Sequence, residues 1–269
     1  MQLTFETFAR LFSVSALRYF IIAGLPFIIF YKVLPVWFGK SKIQKRDADL
    51  KDFKREIWHS MQTTIVFVFI GYIALFSPFK NYSQIYTDIN AYPIWWIGAS
   101  LVISLIIHDT YFYWMHRLLH HKRIFKLTHL VHHQSTNPSP WASYSFHIIE
   151  ACTEGAVLFV IAMLIPMHPL TVILFTIVGF IINVYGHLGY EVAPKWFRHT
   201  FLFELINTSV HHNLHHSKFK GNYGLYFRVW DRLMGTEHPD YVKDYDRVQQ
   251  NRFGTEGKEA VVQSQPSSR

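Results

Sequence analysis

Four runs of this chain are too apolar to face water, and they constrain its fold more than any other feature. Arg18 to Phe38 carries only Arg18 and Lys32 as charges, and Met61 to Phe79 carries none. Ile94 to Ile107 is apolar and runs on through Asp109 to Trp114. Gly155 to Gly186 is a long apolar run interrupted by Pro166, His168 and Pro169. A helix crosses a bilayer with about 20 apolar residues. The first two runs meet that length, and the third does when it continues through Trp114. The fourth is too long for one crossing. Its Pro166-Met-His-Pro169 stretch reads as a turn, which predicts two short helices forming a hairpin at about 155–187. Within lipid, each segment must satisfy its own backbone hydrogen bonds, so the fold class is all-α, a multi-pass membrane helical bundle.

Composition agrees. Only 16% of the 269 residues are charged, against about 25% in ordinary soluble domains. High hydrophobicity excludes a disordered chain. The single cysteine, Cys152, excludes an intramolecular disulfide and a cysteine-based zinc site. Lys+Arg exceed Asp+Glu by 26 − 18 = +8. Seven of those cations lie between Gly39 and Trp58. The loop from Lys80 to Pro93 holds one Lys and one Asp. The positive-inside rule then puts the first loop in the cytoplasm and the second on the far side. Basic residues beside spans argue against a nucleic-acid partner. No cleavable signal is legible at the start, so the first span is expected to act as an uncleaved anchor.

Seventeen histidines are the next anomaly, and fifteen fall between His108 and His216. They form three sets: His116 with His120; His129 with His132 and His133; and His212 with His215 and His216. On a helix, residues three and four apart share a face. Neutral imidazole is the commonest metal ligand and suits iron, zinc and copper. Eight histidines exceed what one four-coordinate ion needs, so the count suits two metals. His187, at the cytoplasmic end of the hairpin, can reach the same place. His147 and His211 are weaker candidates, the alternatives being an interfacial and an off-face histidine. His59, His168, His199 and His238 read as structural or surface residues. Asp109 shares a stripe with Tyr113, His116 and His120. It lies about 10 Å along the axis from His116, too far to orient that ring. It suits a hydrogen bond to a ligand histidine from another helix, or else a cap.

These residues resemble a known family. Asp109-x-x-x-Tyr113-Trp-x-His116-Arg-x-x-His120, His129-x-x-His132-His133 and His212-x-x-His215-His216 are similar to the fatty acid hydroxylase/sterol desaturase superfamily. Asn207-x-Ser209 before the last box, Asn222-Tyr-Gly224 and Trp230-Asp-Arg-x-x-Gly235-Thr most resemble its sterol C5-desaturase branch. The chain departs from the family pattern at Ile148, where a proline is usual. The resemblance implies a cytosolic helical cap holding a histidine-rich di-metal site, with two iron ions and O2 as co-substrate. Its implied ligands are His116, His120, His129, His132, His133, His187, His212, His215 and His216. Asp109, His147, Glu150 and His211 stand as outer-sphere or additional ligands, and no catalytic side chain is expected beyond the metal site. The implied activity is desaturation or hydroxylation of a membrane lipid, sterol-type desaturation being favoured over fatty-acyl hydroxylation.

The chain has no nucleotide, flavin or haem-attachment motif, so electrons must come from an external donor of cytochrome b5 or ferredoxin type. The expected domains are residues 1–115 for the N-terminal spans, 116–247 for the cap with its hairpin, and 248–269 for a disordered tail. The expected location is the endoplasmic reticulum of a eukaryote or the inner membrane of a bacterium, histidine boxes inward. A histidine-rich transporter would carry ionisable groups mid-span, and a membrane haem protein would pair histidines inside facing spans. Spans one and two fit neither. An inactive lipid-binding homologue is disfavoured by the intact boxes.

Overall fold

In a computed structural model of the protein, residues 4–46 and 48–254 are described. Among them there is no strand, only helices, loops and isolated bridges. Helix α1 (Phe5–Phe27) starts on Thr4, whose hydroxyl accepts from the Thr7 N–H. It continues as a π-helical stretch, Ile28–Val33. That wide turn follows Pro26, which supplies no N–H to the regular ladder. The span therefore begins earlier and ends earlier than Arg18 to Phe38, because the Thr4 cap, not the apolar onset, sets its start. Helix α2 (Leu50–Phe76) opens on a capping box between Asp49 and Asp52. It absorbs the second half of the basic stretch, which the sequence reads as loop up to Trp58.

Helix α3 (Trp95–Leu119) ends on His120. Two short helices follow, α4 (Phe125–Thr128) and α5 (Leu130–His133). Two helices joined at the Pro166–Pro169 turn follow, α6 (Ile148–Leu164), which starts before the expected Gly155, and α7 (Pro169–Gly186), each capped at its start by a histidine, His147 and His168. The remaining helices are α8 (Phe201–Leu205), α9 (Ser209–Lys218), α10 (Val229–Leu233) and α11 (Tyr241–Phe253).

Four helices are long and apolar enough to span a bilayer: Phe5–Val33, α2, α3 and α7. Their outward faces carry Leu17, Ile21, Phe69, Ile73, Val102 and Ile106, all well exposed. Such a surface is stable against lipid, not water. The protein is an integral membrane protein. Helix α2 packs on α1 and α6, and α3 packs on α6 and α7. With 27 residues, α2 is about 40 Å long and outreaches a hydrocarbon layer of about 30 Å.

Beyond the bundle, α8, α9 and α11 share a small core of Phe203, Val210, Leu214, Tyr241, Tyr245 and Val248. This corrects the start of the expected tail at Val248. Tyr241, Tyr245 and Val248 sit at i, i+4 and i+7, so one face of α11 is apolar and the helix docks through Phe253. Residues 255–269 of that expected tail lie outside the described residues. Because Tyr245 is fully buried, Tyr245→Ala is expected to destabilise the protein by about 3 kcal/mol. Thermal melting in detergent measures this, and an unchanged midpoint would contradict the packing of α11.

Candidate metal centre

Nine buried or nearly buried imidazoles meet where α3, α5, α7 and α9 converge. They fall into two groups. His116, His120, His129, His133 and His215 form one, and His132, His187, His212 and His216 the other. Within each group, one ring nitrogen per residue lies within 4.8 Å of the rest. Helix α5 splits its histidines between the groups, because adjacent residues point about 100° apart. His129 and His133, four apart, go to the first, and His132 goes to the second. Helix α9 does the same: His212 and His216 join one group and His215 the other.

Each anchored ring is fixed through its outer nitrogen. The Nδ1 of His116 donates to the Tyr223 carbonyl at 2.9 Å, and that of His215 to the Gly221 carbonyl at 2.7 Å. His187 donates to the Asn183 carbonyl at 2.8 Å, and His216 to the Ser135 carbonyl at 3.0 Å. His129 Nδ1 is hydrogen-bonded to Glu150 Oε1 at 2.7 Å. Carbonyl oxygens only accept, so the contacts of His116, His187, His215 and His216 place the proton on Nδ1. A neutral ring then presents a bare lone pair at Nε2. Yet His116 Nε2 and His129 Nε2 are 2.9 Å apart, and His187 Nε2 and His216 Nε2 are 3.2 Å apart. In the His187–His216 pair both Nδ1 protons face carbonyls, so neither Nε2 has a proton to share and this contact is not a hydrogen bond. A cation between the lone pairs resolves the repulsion. Nitrogens bound ~2.0–2.1 Å from one ion, at angles of about 90–109°, sit roughly 2.9–3.4 Å apart. The close Nε2 pairs span 2.9–3.4 Å. The donor set thus fits two transition-metal ions.

Electrostatics point the same way. Burial, reinforced by neighbouring rings, pushes His129, His132, His133, His212 and His216 well below the ordinary histidine range. Burial lowers His187 and His215 to about 4. The rings are neutral at pH 7, as metal ligation requires.

The remaining candidates divide. Glu150, 4% exposed, anchors His129 directly. Asp109 touches no ligand histidine. Its Oδ1 accepts from the backbone N–H groups of Leu225, Tyr226 and Phe227, so it holds a loop and is neither a ring partner nor a helix cap. Asp231 similarly accepts from Tyr223 and Gly224 N–H. Together the two acids pin the 221–227 loop whose carbonyls orient His116 and His215. Gly221 adopts φ +77°, which favours glycine. His147 caps α6 and accepts from the Ile149 N–H. His211 is buried edge-on to Tyr241, outside both groups, because it sits one position off the shared face of α9. Sequence reasoning missed the carbonyl anchors of Ser135, Gly221 and Tyr223 and the role of Asp231. The Asn222-Tyr-Gly224 and Trp230-Asp231 motifs were the available signal.

The profile of the fatty acid hydroxylase family matches residues 101–236, which contain all nine clustered histidines. The chain is 30% identical over 212 residues to lathosterol oxidase of Mus musculus, covering 74% of this chain and 67% of that protein. It is 34% identical over 158 residues to Delta(7)-sterol 5(6)-desaturase ERG3B of Gibberella zeae, covering 58% and 47% respectively. Methylsterol monooxygenase erg25B of Aspergillus fumigatus is 30% identical over 198 residues, covering 70% and 66%. No solved structure matches the chain significantly. The chain belongs to the fatty acid hydroxylase family. It is a membrane oxidoreductase that acts on lipids.

Two outcomes follow from the anchoring. Glu150→Ala should weaken metal retention about 10–100-fold, measured by competition with a chelator; unchanged retention would contradict the anchoring of His129. In metal-free protein, His187 and His215 bind protons only near pH 4 when folded, but near 6.5 when unfolded. Between those values the unfolded state holds more protons, so stability rises with pH and is lost on acidification. Melting temperatures of the chelator-stripped protein should fall as pH drops from about 7 towards 4, and a flat profile would count against buried neutral rings.

Proposed function

We propose that the protein is a di-iron, O2-dependent lipid desaturase or hydroxylase, with desaturation of a sterol-type lipid favoured. The two compact histidine groups, with the opposed, proton-free Nε2 atoms of His187 and His216 in one of them, carry this reading. His116, His120, His129, His133 and His215 would hold one iron, and His132, His187, His212 and His216 the other. Bound iron supplies O2 reduction, which a saturated C–H bond needs because acid–base groups cannot activate it. A desaturation consumes O2, two electrons and two protons and releases two waters. A hydroxylation consumes the same and leaves one oxygen on the lipid. The names of the sterol-acting relatives support the sterol preference, while the family's own name keeps acyl hydroxylation as the second reading.

The protein's own residues bind and orient. Carbonyl and carboxylate anchors hold the rings inward, and the membrane helices deliver the lipid from below. The external electron donor, of cytochrome b5 or ferredoxin type, would arrive from the cytoplasmic face, the side the basic 39–58 stretch marks. Residues 110–149 and 205–230 contain no Asp or Glu. Within them Lys122, Arg123, Lys126, Lys218 and Lys220 are exposed. Among these cations, exposed Phe219 lies with its ring 4.9 Å from His133. An acidic donor would complement this surface.

Metal analysis of gently purified protein should return two irons per chain, and His132→Ala should lose iron and product together. Product formation by that variant would overturn the ligand assignment. Raising ionic strength from about 0.02 to 0.5 M should slow reduction by an acidic carrier several-fold; an unchanged rate would exclude electrostatic docking.

A further inference from the structure

Below the histidine groups, within the membrane bundle, lies a cavity of about 250 Å³. Its walls are mostly apolar, with Val68, Leu75, Leu158, Val172, Phe175 and Phe180 among them. Among the polar side chains that also line it are Arg18, His108, Glu154 and Tyr226. Ionisable groups at membrane depth are costly and mark function by default. The nine metal-centre histidines leave these four unused.

Three of them form one connected cluster. The Nε2 of His108 is 3.0 Å from Glu154 Oε1, and its Nδ1 is 2.8 Å from the Tyr226 hydroxyl. The cluster depends on close approach: a Cβ at Gly179 would lie 2.5 Å from that hydroxyl. Glu154 Oε2 is buried with no hydrogen-bond partner. A buried carboxylate oxygen without a donor is an unmet acceptor in a low-dielectric site. The cavity also adjoins the chemistry. Glu154 is one helical turn from Glu150, which holds His129. Asn183, another lining residue, is one turn from His187 and accepts its Nδ1–H. Four residues rise about 6 Å along a helix.

We propose that this cavity takes a lipid alcohol, whose hydroxyl donates to Glu154 Oε2 while its hydrocarbon body fills the apolar part beneath the metal centre. A hydroxyl supplies the donor that Glu154 lacks. A fatty acid carboxylate would bring two more acceptor oxygens and no proton for Glu154 Oε2 to accept. Such a head group would instead seek Arg18, whose Nη1 already donates to Thr176 Oγ1 at 2.8 Å. Oxidation therefore falls on carbons near the hydroxyl, not at the far end of a chain. This inference rests on the lipid-oxidoreductase reading for the substrate's fate, but its binding chemistry is independent of iron.

The test compares ligands on detergent-purified, iron-loaded full chain by equilibrium binding of radiolabelled lipid. The probes are cholesterol and its 3-methyl ether, hexadecanol and its methyl ether, and palmitate. At least one alcohol should bind about tenfold more tightly than its ether, which has no proton to donate. Glu154→Gln should abolish that preference while retaining iron. If this variant fails to fold, the alcohol–ether comparison on the unaltered protein still decides. Equal binding within both pairs overturns the proposal. So does palmitate binding more tightly than either alcohol and losing affinity in Arg18→Gln. Iron content is read separately. An alcohol preference without bound iron would sink the metal reading alone, and two irons without a preference would sink this one alone.

Discussion

The structure depends on burying nine imidazoles as neutral rings with their lone pairs facing one another. Without an ion, each unpaired buried nitrogen costs about 1–3 kcal/mol. The surroundings must therefore impose the arrangement. They do so from outside, by giving anchored Nδ1 protons an acceptor and leaving Nε2 turned inward. Those acceptors are themselves held. Glu56 on α2 accepts from Ser135 and Ser139, which fixes the turn whose Ser135 carbonyl holds His216. Asp109 on α3 and Asp231 fix the loop that holds His116 and His215. Anchors on elements far apart in sequence converge on one small volume.

The same anchors join the centre to the membrane. Helix α3 runs from the apolar layer to His116 and His120 without a break. The hairpin begins and ends beside the histidines, with Glu150 on its first turn and His187 at its close. Under the proposed function, a lipid held between these helices would lie directly under the histidine groups and would reach them without passing through water. Tyr19 and Ser60 both donate to the Trp141 carbonyl, which ties the two N-terminal spans to the turn above them.

Much of this was legible beforehand, for physical reasons. Apolar length revealed the spans and the Pro166–Pro169 turn revealed the hairpin, because both are local properties. The i, i+3 and i+4 spacing of histidines revealed the boxes, since one helix suffices to align them. The division of the α5 and α9 histidines between two groups was not legible, although adjacent histidines such as His132 and His133 must diverge. For Asp109 the sequence left a ring partner and a cap both open, because helical phase shows which way a residue points, not which loop arrives there. The α11 helix was missed because the glycine- and glutamine-rich sequence after Val248 masked the apolar stripe of Tyr241, Tyr245 and Val248. Cavity polarity, from His108, Glu154 and Tyr226, required three separate segments to meet and left no local trace.

The central claim is that two separate ions occupy the two histidine groups. Diffraction from iron-loaded crystals at the iron absorption edge tests it most directly. The account predicts two anomalous peaks, one among the Nε2 atoms of His116, His120, His129, His133 and His215, and one among those of His132, His187, His212 and His216. A single peak, or peaks away from these nitrogens, would contradict it.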